Sequence, residues 1–210
     1  MVWCPTVAFV TAAVNGPRAA GVLERMPANR DELFPGPLDL HVLEPYEPGS
    51  GRIWRYDQHP GLMLNSLAVE YDSRCGDLFG RGAAAEELNR YQESEFKGPG
   101  GALLMVQENG ESVAGGAFRH YNNDTAEFKR IWTHSAHRRR GLARFVLAEL
   151  EALAARRGYR QVFLSTGPRQ PEAKHLYLTS GYDPQFDLDQ DPEIIRSLAF
   201  TKNLPAAPLS

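Results

Sequence analysis

The sequence predicts an α/β (α+β) fold in which helices pack on a mixed β-sheet. Three observations support this prediction. An Asn-Gly pair at 109–110 separates two apolar runs, short runs rich in β-branched and aromatic residues recur along the chain, and several stretches carry apolar residues at helical spacing. Their order is strand, two helices, three strands, helix, strand, helix and strand.

The first predicted elements follow a proline-rich N-terminal region. Residues 1–50 contain seven prolines, which disrupt helices and sheet ladders, so an irregular extension with a single strand in LDLHVL is expected. GRIWRYD, residues 51–57, predicts a short strand. The stretches GLMLNSLAVEYDSRCGDLF and AAAEELNRYQESEF then predict two helices. We therefore place the folded domain at residues 51–204, between the extension and a short tail at 205–210.

The later elements alternate between sheet and helix. Asn109-Gly110 predicts a β-hairpin because both residues tolerate positive φ, and TAEFKRIWT predicts the next strand. An apolar stripe between Gly141 and Gly158 predicts a helix that a left-handed glycine ends. RQVFLST predicts a strand, PEAKHLYLTSG a helix with Pro171 in its first turn, and SLAFTKNL an edge strand.

Composition and charge exclude several classes of protein. The 23 Lys and Arg nearly balance the 26 Asp and Glu, and the pI is near 6.1, so binding to nucleic acid or an anionic membrane is not expected. Cys4 and Cys75 are too few for a disulfide framework. His134 and His137 lie in a predicted loop without a third ligand, so no metal site is expected. The absence of a long apolar run and of a secretory signal predicts a cytoplasmic protein.

The stretch HRRRGLARFVLAEL places three arginines directly before a glycine that begins a helix. The first N–H groups of a helix are unpaired and lie at the positive end of its dipole, so this arrangement favours anion binding. Gly141 and Ala143 leave room for a ligand, while Arg138, Arg139 and Arg140 add charge that suits phosphate. The alternative is a solvated loop before an ordinary helix, since runs of charge usually face water.

Two motifs of the chain resemble those of the GNAT family of acyl-CoA-dependent N-acyltransferases. The first is Arg138-x-x-Gly141-x-Ala143, which in that family binds the pyrophosphate of acetyl-CoA. The second consists of Ala173, Leu176, Tyr177, Gly181 and Tyr182. The resemblance covers about residues 51–204 and implies the GNAT fold, whose central sheet is mixed, mostly antiparallel and flanked by helices. It also implies an acyltransferase with acetyl-CoA as co-substrate and no metal.

The resemblance implies positions for the coenzyme contacts. In addition to Arg138, the pyrophosphate would contact the backbone of Arg139, Arg140, Gly141, Leu142, Ala143 and Arg144. The preceding strand would pair with the pantetheine arm through Ile131 and Thr133, and a bulge would direct the N–H of Trp132 or Thr133 at the thioester carbonyl. Gln170 replaces an asparagine that touches the pantetheine in many relatives, and its longer amide is expected to reach the same arm.

Two side chains are candidates for the chemistry. Glu127 stands fourteen residues before Gly141, where histone-acetyltransferase-like relatives place a general base. Its alternative role is a strand glutamate that faces solvent or pairs with Lys129 or Arg130. Tyr177 stands where relatives place a tyrosine near the sulfur, and its alternative role is a core aromatic.

The expected reaction is direct attack of a primary amine on acetyl-CoA through a tetrahedral intermediate. Acidic residues in segments 72–84 and 183–199, which shape the acceptor site in the family, favour a small cationic amine. Three alternatives stay open: a catalytically silent CoA-binding regulatory domain, a protein-lysine or N-terminal acetyltransferase, and a nucleic-acid-binding module that uses the arginines. The acidic pI disfavours the last of these, and a homodimer is compatible with the sequence.

Overall fold

The computed structural model describes residues 11–12, 38–42, 60–80 and 82–205. The strand predicted at 51–57 lies outside these ranges. The strands are β1 (Thr11–Ala12), β2 (Leu38–Val42), β3 (Ala102–Glu108), β4 (Glu111–His120), β5 (Thr125–Thr133), β6 (Gln161–Thr166), β7 (Asp183–Pro184) and β8 (Leu198–Asn203). The helices are α1 (Pro60–Phe79), α2 (Ala83–Asn89), α3 (Leu142–Arg156), α4 (Pro171–Thr179) and α5 (Pro192–Ile195), with 3₁₀ turns at Glu93–Phe96 and Ser135–His137.

The strands form one sheet in the order β1-β3-β4-β5-β6-β8-β7, and β2 also pairs with β3. Among these pairs, β1–β3 and β5–β6 are parallel and the others antiparallel, which confirms the predicted mixed, mostly antiparallel sheet. β2 is the strand predicted in LDLHVL. The edge position predicted for β8 is wrong, because the two residues of β7 pair with its outer side.

Local sequence signals set the turns and the helix ends. The β3–β4 hairpin turns at Asn109 and Gly110, whose φ values are 54° and 80°. Helix α3 begins after Gly141 and is followed by Gly158, both with positive φ, and α4 begins at Pro171. Helix α2 is shorter than predicted, because a separate 3₁₀ turn begins after Gln92.

Hydrophobic residues pack on both faces of the sheet. Helix α1 contributes Met63, Leu67, Tyr71 and Cys75, one residue per turn, to a cluster that also contains Trp132. On the other face, α3 and α4 cover a larger cluster that includes Ile131, Val146, Leu150 and Tyr177. The sheet therefore separates α1 from α3 and α4, and a path between the two faces requires a gap between strands.

Such a gap opens between β5 and β6. The two strands pair only from Thr125↔Gln161 to Glu127↔Phe163, although β5 continues to Thr133 and β6 to Thr166. A bulge in β5 accompanies the separation, since Lys129 and Trp132 lie opposite Ala117 and Gly115 of β4. Within it Arg130 has a φ of 58°. The bulge increases local twist and helps to turn β5 away from its neighbour.

Candidate functional site

A cavity of about 550 Å³ lies beyond the diverging ends of β5 and β6. Its walls come from α1, the end of β5, the loop before α3, the first turn of α3 and one side of α4. The lining residues are Glu70, Arg74, Thr133, Arg138, Arg139, Gly141, Leu142, Ala143, Arg144, Gln170, Glu172, Ala173, His175, Leu176 and Thr179. The cavity thus contains most of the predicted coenzyme contacts.

The N-terminus of α3 forms one wall of this cavity. Gly141 is the N-cap residue, with a φ of 80°, and no side chain caps the helix there. The N–H groups of Leu142, Ala143 and Arg144 belong to the first turn, where a helix supplies no internal acceptor. A Cβ atom added at Gly141 would meet no other atom within 4 Å, so the open space reaches the backbone itself. This geometry suits an anion such as a phosphate.

The three consecutive arginines have different surroundings. Arg140 donates to both carboxylate oxygens of Glu108, at 2.9 and 2.7 Å, and does not line the cavity. Hydrogen bonding from Arg140 lowers the pKa of the Glu108 carboxyl. The Arg140 guanidinium therefore ties the loop to the end of β3, and only its backbone stays a predicted coenzyme contact.

Arg138 and Arg139 of the loop, and Arg144 of the first turn of α3, line the cavity. Arg138 Nη2 donates to Glu70 Oε2 at 2.7 Å, and Arg144 Nη2 donates to Thr179 Oγ1 at 3.2 Å. Arg139 has a φ of 63° and an exposed side chain that makes no ion pair with another described residue. Three guanidinium groups thus border the space in front of α3.

The predicted strand residues of β5 divide between the two faces. Ile131 packs in the cluster under α3, and Trp132 packs on the α1 side with its ring 5.7 Å from that of His134. Thr133 lines the cavity, and its buried Oγ1 has no hydrogen-bond partner in the described part of the chain. Of these three side chains, only Thr133 therefore reaches the cavity.

Gln170 lies at the start of α4 and also borders the cavity. Its Oε1 accepts hydrogen bonds from Thr166 Oγ1 at 2.5 Å and from Gly167 N at 3.2 Å. The carbonyl half of the amide therefore holds the loop between β6 and α4. The amide nitrogen of Gln170 is therefore the group that can donate a hydrogen bond to a ligand.

Glu127 is buried outside the cavity, with 1% of its surface exposed. Arg119 Nε donates to its Oε2 at 2.7 Å, and Lys129 Nζ lies 3.0 Å from its Oε1. Pairing with Lys129 is the alternative that the sequence left open, whereas Arg119 was not anticipated. Burial alone would lower the pKa of Arg119, but the charge and hydrogen bond of Glu127 act together with Tyr91 and Glu95, and the pKa is raised. The general-base role of Glu127 stays a prediction.

Tyr177 is also buried, between α4 and the sheet. Its ring lies 5.8 Å from that of Tyr182 and 5.4 Å from that of Phe200. Burial raises the pKa of its phenol well above the ordinary value. These neighbours are those expected of a core aromatic. They do not test the predicted contact between Tyr177 and the sulfur of the coenzyme.

Two acidic residues and one arginine of the cavity were missed by the sequence analysis. Arg74 lies 2.9 Å from Glu70 Oε1 and 2.6 Å from Glu172 Oε1. Together with the bond from Arg138 to Glu70, these contacts form an ion-pair chain from the α3 loop through α1 to α4. The i, i+4 spacing of Glu70 and Arg74 was a local signal, but their distant partners were not visible in the sequence.

Within the described ranges, no group of three or more His, Cys, Asp or Glu is arranged to hold a metal ion. No helix in the same ranges is long and apolar enough to cross a membrane.

Comparison with known proteins gives a family and several relatives. A model of the acetyltransferase (GNAT) family matches residues 64–182, more than half of the chain. The uncharacterized N-acetyltransferase YsnE of Bacillus subtilis is 28% identical over 124 residues, which cover 57% of this chain and 80% of that protein. A nitrosuccinic acid synthase of Aspergillus oryzae is 42% identical over 67 residues, or 31% of this chain. This chain spans 10% of the length of that synthase.

Solved structures share the fold. A GNAT family acetyltransferase from Staphylococcus aureus MU50 aligns with a TM-score of 0.56 at 12% identity, over 79% of this chain and 99% of that chain. A GNAT family acetyltransferase from Elizabethkingia anophelis with acetyl-CoA bound aligns with a TM-score of 0.51 at 16% identity, over 80% and 98% of the two chains. The predicted fold is confirmed by these likenesses.

Proposed function

Because the chain belongs to the GNAT family of acetyltransferases, a class of acyltransferase enzymes, we propose that it transfers the acetyl group of acetyl-CoA to a primary amine of a small molecule. The observation that carries this proposal is the cavity at the uncapped N-terminus of α3, which is bordered by four arginines and reaches Thr133, at the end of β5 that β6 leaves unpaired.

The coenzyme diphosphate binds at the N-terminus of α3 in this proposal. The N–H groups of Leu142, Ala143 and Arg144 donate to its oxygens, and guanidinium groups of Arg138 and Arg139 neutralise its charge. Gly141 lets the diphosphate approach the backbone.

The pantetheine arm follows the edge of β5 that β6 leaves unpaired beyond Glu127. The N–H of His134 donates to Val113 of β4 at 2.8 Å. Because N–H directions alternate along a strand, the N–H of Trp132 faces β4 as well and that of Thr133 faces the gap. This alternation favours Thr133 over Trp132 as the donor to the thioester carbonyl, where negative charge develops during attack.

The reaction joins the amine nitrogen to the acetyl carbon and breaks the carbon–sulfur bond, so that the thiolate of CoA leaves. An alkyl ammonium of pKa about 10.4 must first lose a proton, at a cost of about 4–5 kcal/mol at pH 7. In our proposal Glu127 accepts this proton through water, since its carboxylate does not line the cavity. The Tyr177 phenol donates a hydrogen bond to the sulfur.

The acceptor is proposed to be a small cationic amine. Exposed Asp187, Asp189 and Glu193 lie between β7 and β8, in one of the segments expected to shape the acceptor site. These groups attract a positive charge. The cytoplasm stays the predicted compartment, because two cysteines are too few for a disulfide framework.

A catalytically silent CoA-binding domain is the second candidate function. It is favoured by the burial of both Glu127 and Tyr177 away from the cavity. Such a domain would bind acetyl-CoA and release no free CoA with any amine.

Calorimetric titration with acetyl-CoA, followed by thiol release with a panel of primary amines, tests the proposal. Gly141→Asp introduces a negative charge at the diphosphate site and should abolish binding. Gly158→Asp is the matched control, because this glycine follows the other end of α3, with a φ of 92° and open space around it. Binding without thiol release would support the silent domain, and no binding by the unaltered chain would contradict both functions.

A further inference from the structure

Glu70 of α1 shares its carboxylate between two guanidinium groups. Its Oε2 accepts from Arg138 Nη2 at 2.7 Å, and its Oε1 lies 2.9 Å from Arg74 Nη2. All three side chains border the cavity in front of α3. The carboxylate therefore pairs with one of the arginines that border the proposed diphosphate site.

The contact between Glu70 and Arg138 is of a kind that exchanges readily. The side chains are 23% and 42% exposed, and ion pairs in contact with water contribute little to stability. If Arg138 leaves, Glu70 still has Arg74 as a partner, so no carboxylate loses its only counter-charge. The alternative partner, a diphosphate, offers oxygens that match the guanidinium fork.

We propose that Glu70 competes with the coenzyme diphosphate for Arg138 and so sets the affinity for acetyl-CoA. This inference rests on the proposed function. When the coenzyme binds, Arg138 passes from Glu70 to the phosphate, and the link between α1 and the loop before α3 is released. Glu70 is thus a positioning residue that acts through Arg138 and holds coenzyme affinity below its maximum.

The opposite effect would follow if Glu70 served only to hold Arg138 in a productive orientation. Neutralising Glu70 would then loosen Arg138 and weaken coenzyme binding. Competition predicts tighter binding instead, because the arginine is freed and a negative charge is removed from the cavity. The direction of the change therefore separates the two roles, and damage to the fold would not produce tighter binding.

The experiment is calorimetric titration of acetyl-CoA into the unaltered chain, Glu70→Gln, Arg138→Gln and the double variant. Glu70→Gln is expected to lower the Kd about three- to tenfold. Arg138→Gln should raise it, and in that background Glu70→Gln should lose most of its effect. Glu86→Gln is the matched control, an exposed residue of the neighbouring helix α2 outside the cavity, and should change the Kd by less than about twofold.

Two further measurements sharpen the test. Glu70→Asp retains the charge and should keep the Kd close to that of the unaltered chain. S-acetylpantetheine lacks the diphosphate, so its binding should not respond to Glu70→Gln. An unchanged or weakened affinity for acetyl-CoA in Glu70→Gln overturns the inference, as does equal tightening in the Arg138→Gln background. Absence of binding by the unaltered chain would instead overturn the proposed function, and this inference with it.

Discussion

The molecule contains two clusters of charged side chains that differ in their access to water. The open cluster, Arg138, Glu70, Arg74 and Glu172, borders the cavity, and its members are partly exposed. The buried cluster, Arg119, Glu127, Lys129 and Glu87, lies beneath α2, where Glu127 and Lys129 are almost fully covered.

The difference determines what each cluster can do. Charges that keep contact with water lose little when they change partners, so the open cluster suits ligand exchange. Charged side chains that water does not reach need their ion-pair partners, because a buried charge without a partner destabilises the fold. We therefore expect substitutions in the open cluster to alter binding and substitutions in the buried cluster to alter stability, unless Glu127 also acts in catalysis.

Glu127→Gln is expected to have the largest effect, a loss of turnover. This variant tests whether the buried carboxylate also acts as a general base. Loss of a general base lowers kcat by about 10²- to 10⁴-fold, and the loss should be greatest where free amine is scarce. The Kd for acetyl-CoA should not change. Turnover is measured by thiol release across pH, with circular dichroism to confirm folding. Normal turnover at every pH would restrict Glu127 to the buried cluster.

Lys129→Met is expected to have the next largest effect, on stability. Removal of this ammonium leaves Glu127 and Glu87 less compensated, and loss of one partner of a buried pair costs about 3–5 kcal/mol of unfolding free energy. Urea unfolding measures the cost. Combination with Glu127→Gln should cost less than the sum of the two single variants. A change below about 1 kcal/mol would show that the buried cluster behaves like the open one.

Glu108→Gln should have an intermediate, pH-dependent effect. Hydrogen bonds from Arg140 lower the pKa of Glu108 in the folded state, so the pair stabilises the fold above the unfolded-state pKa. The substitution is expected to cost about 1–2 kcal/mol at pH 7. As the pH falls below the ordinary value of 4.5 towards the lowered pKa, this difference should shrink. Urea unfolding of both proteins from pH 7 to pH 3 tests the trend, and a constant difference would contradict it.

Arg138→Gln should have the smallest effect on stability. Its pair with Glu70 is partly exposed, and such pairs contribute at most about 1 kcal/mol. Urea unfolding should therefore show little change, although the same variant binds acetyl-CoA more weakly. A large loss of stability would remove the distinction between the two clusters.

Elements with local signals were predictable from the sequence. The hairpin turns at Asn109-Gly110, and the helix lies between Gly141 and Gly158. Both elements depend on residues that adopt positive φ readily. The N-terminus of α3, where we propose that the diphosphate binds, could be anticipated for the same reason, because loop and helix are adjacent in the chain.

Contacts between distant segments were not predictable. Arg119 meets Glu127 because the β4–β5 register places them opposite each other, and Glu70 meets Arg138 although they are 68 residues apart in the sequence. The sequence also left open whether Tyr177 of α4 would pack in the core or line the cavity, and the side chain packs in the core. Each of these outcomes depends on tertiary packing, which no single motif encodes.

The pairing of β1 and β2 with β3 has a consequence separate from the reaction. An uncovered strand offers a row of unpaired N–H and C=O groups to which another molecule can add, a common first step in aggregation. Residues 11–12 and 38–42 cover part of β3 in this way. The N–H and C=O groups of β3 that pair with these two strands are therefore not offered to another copy.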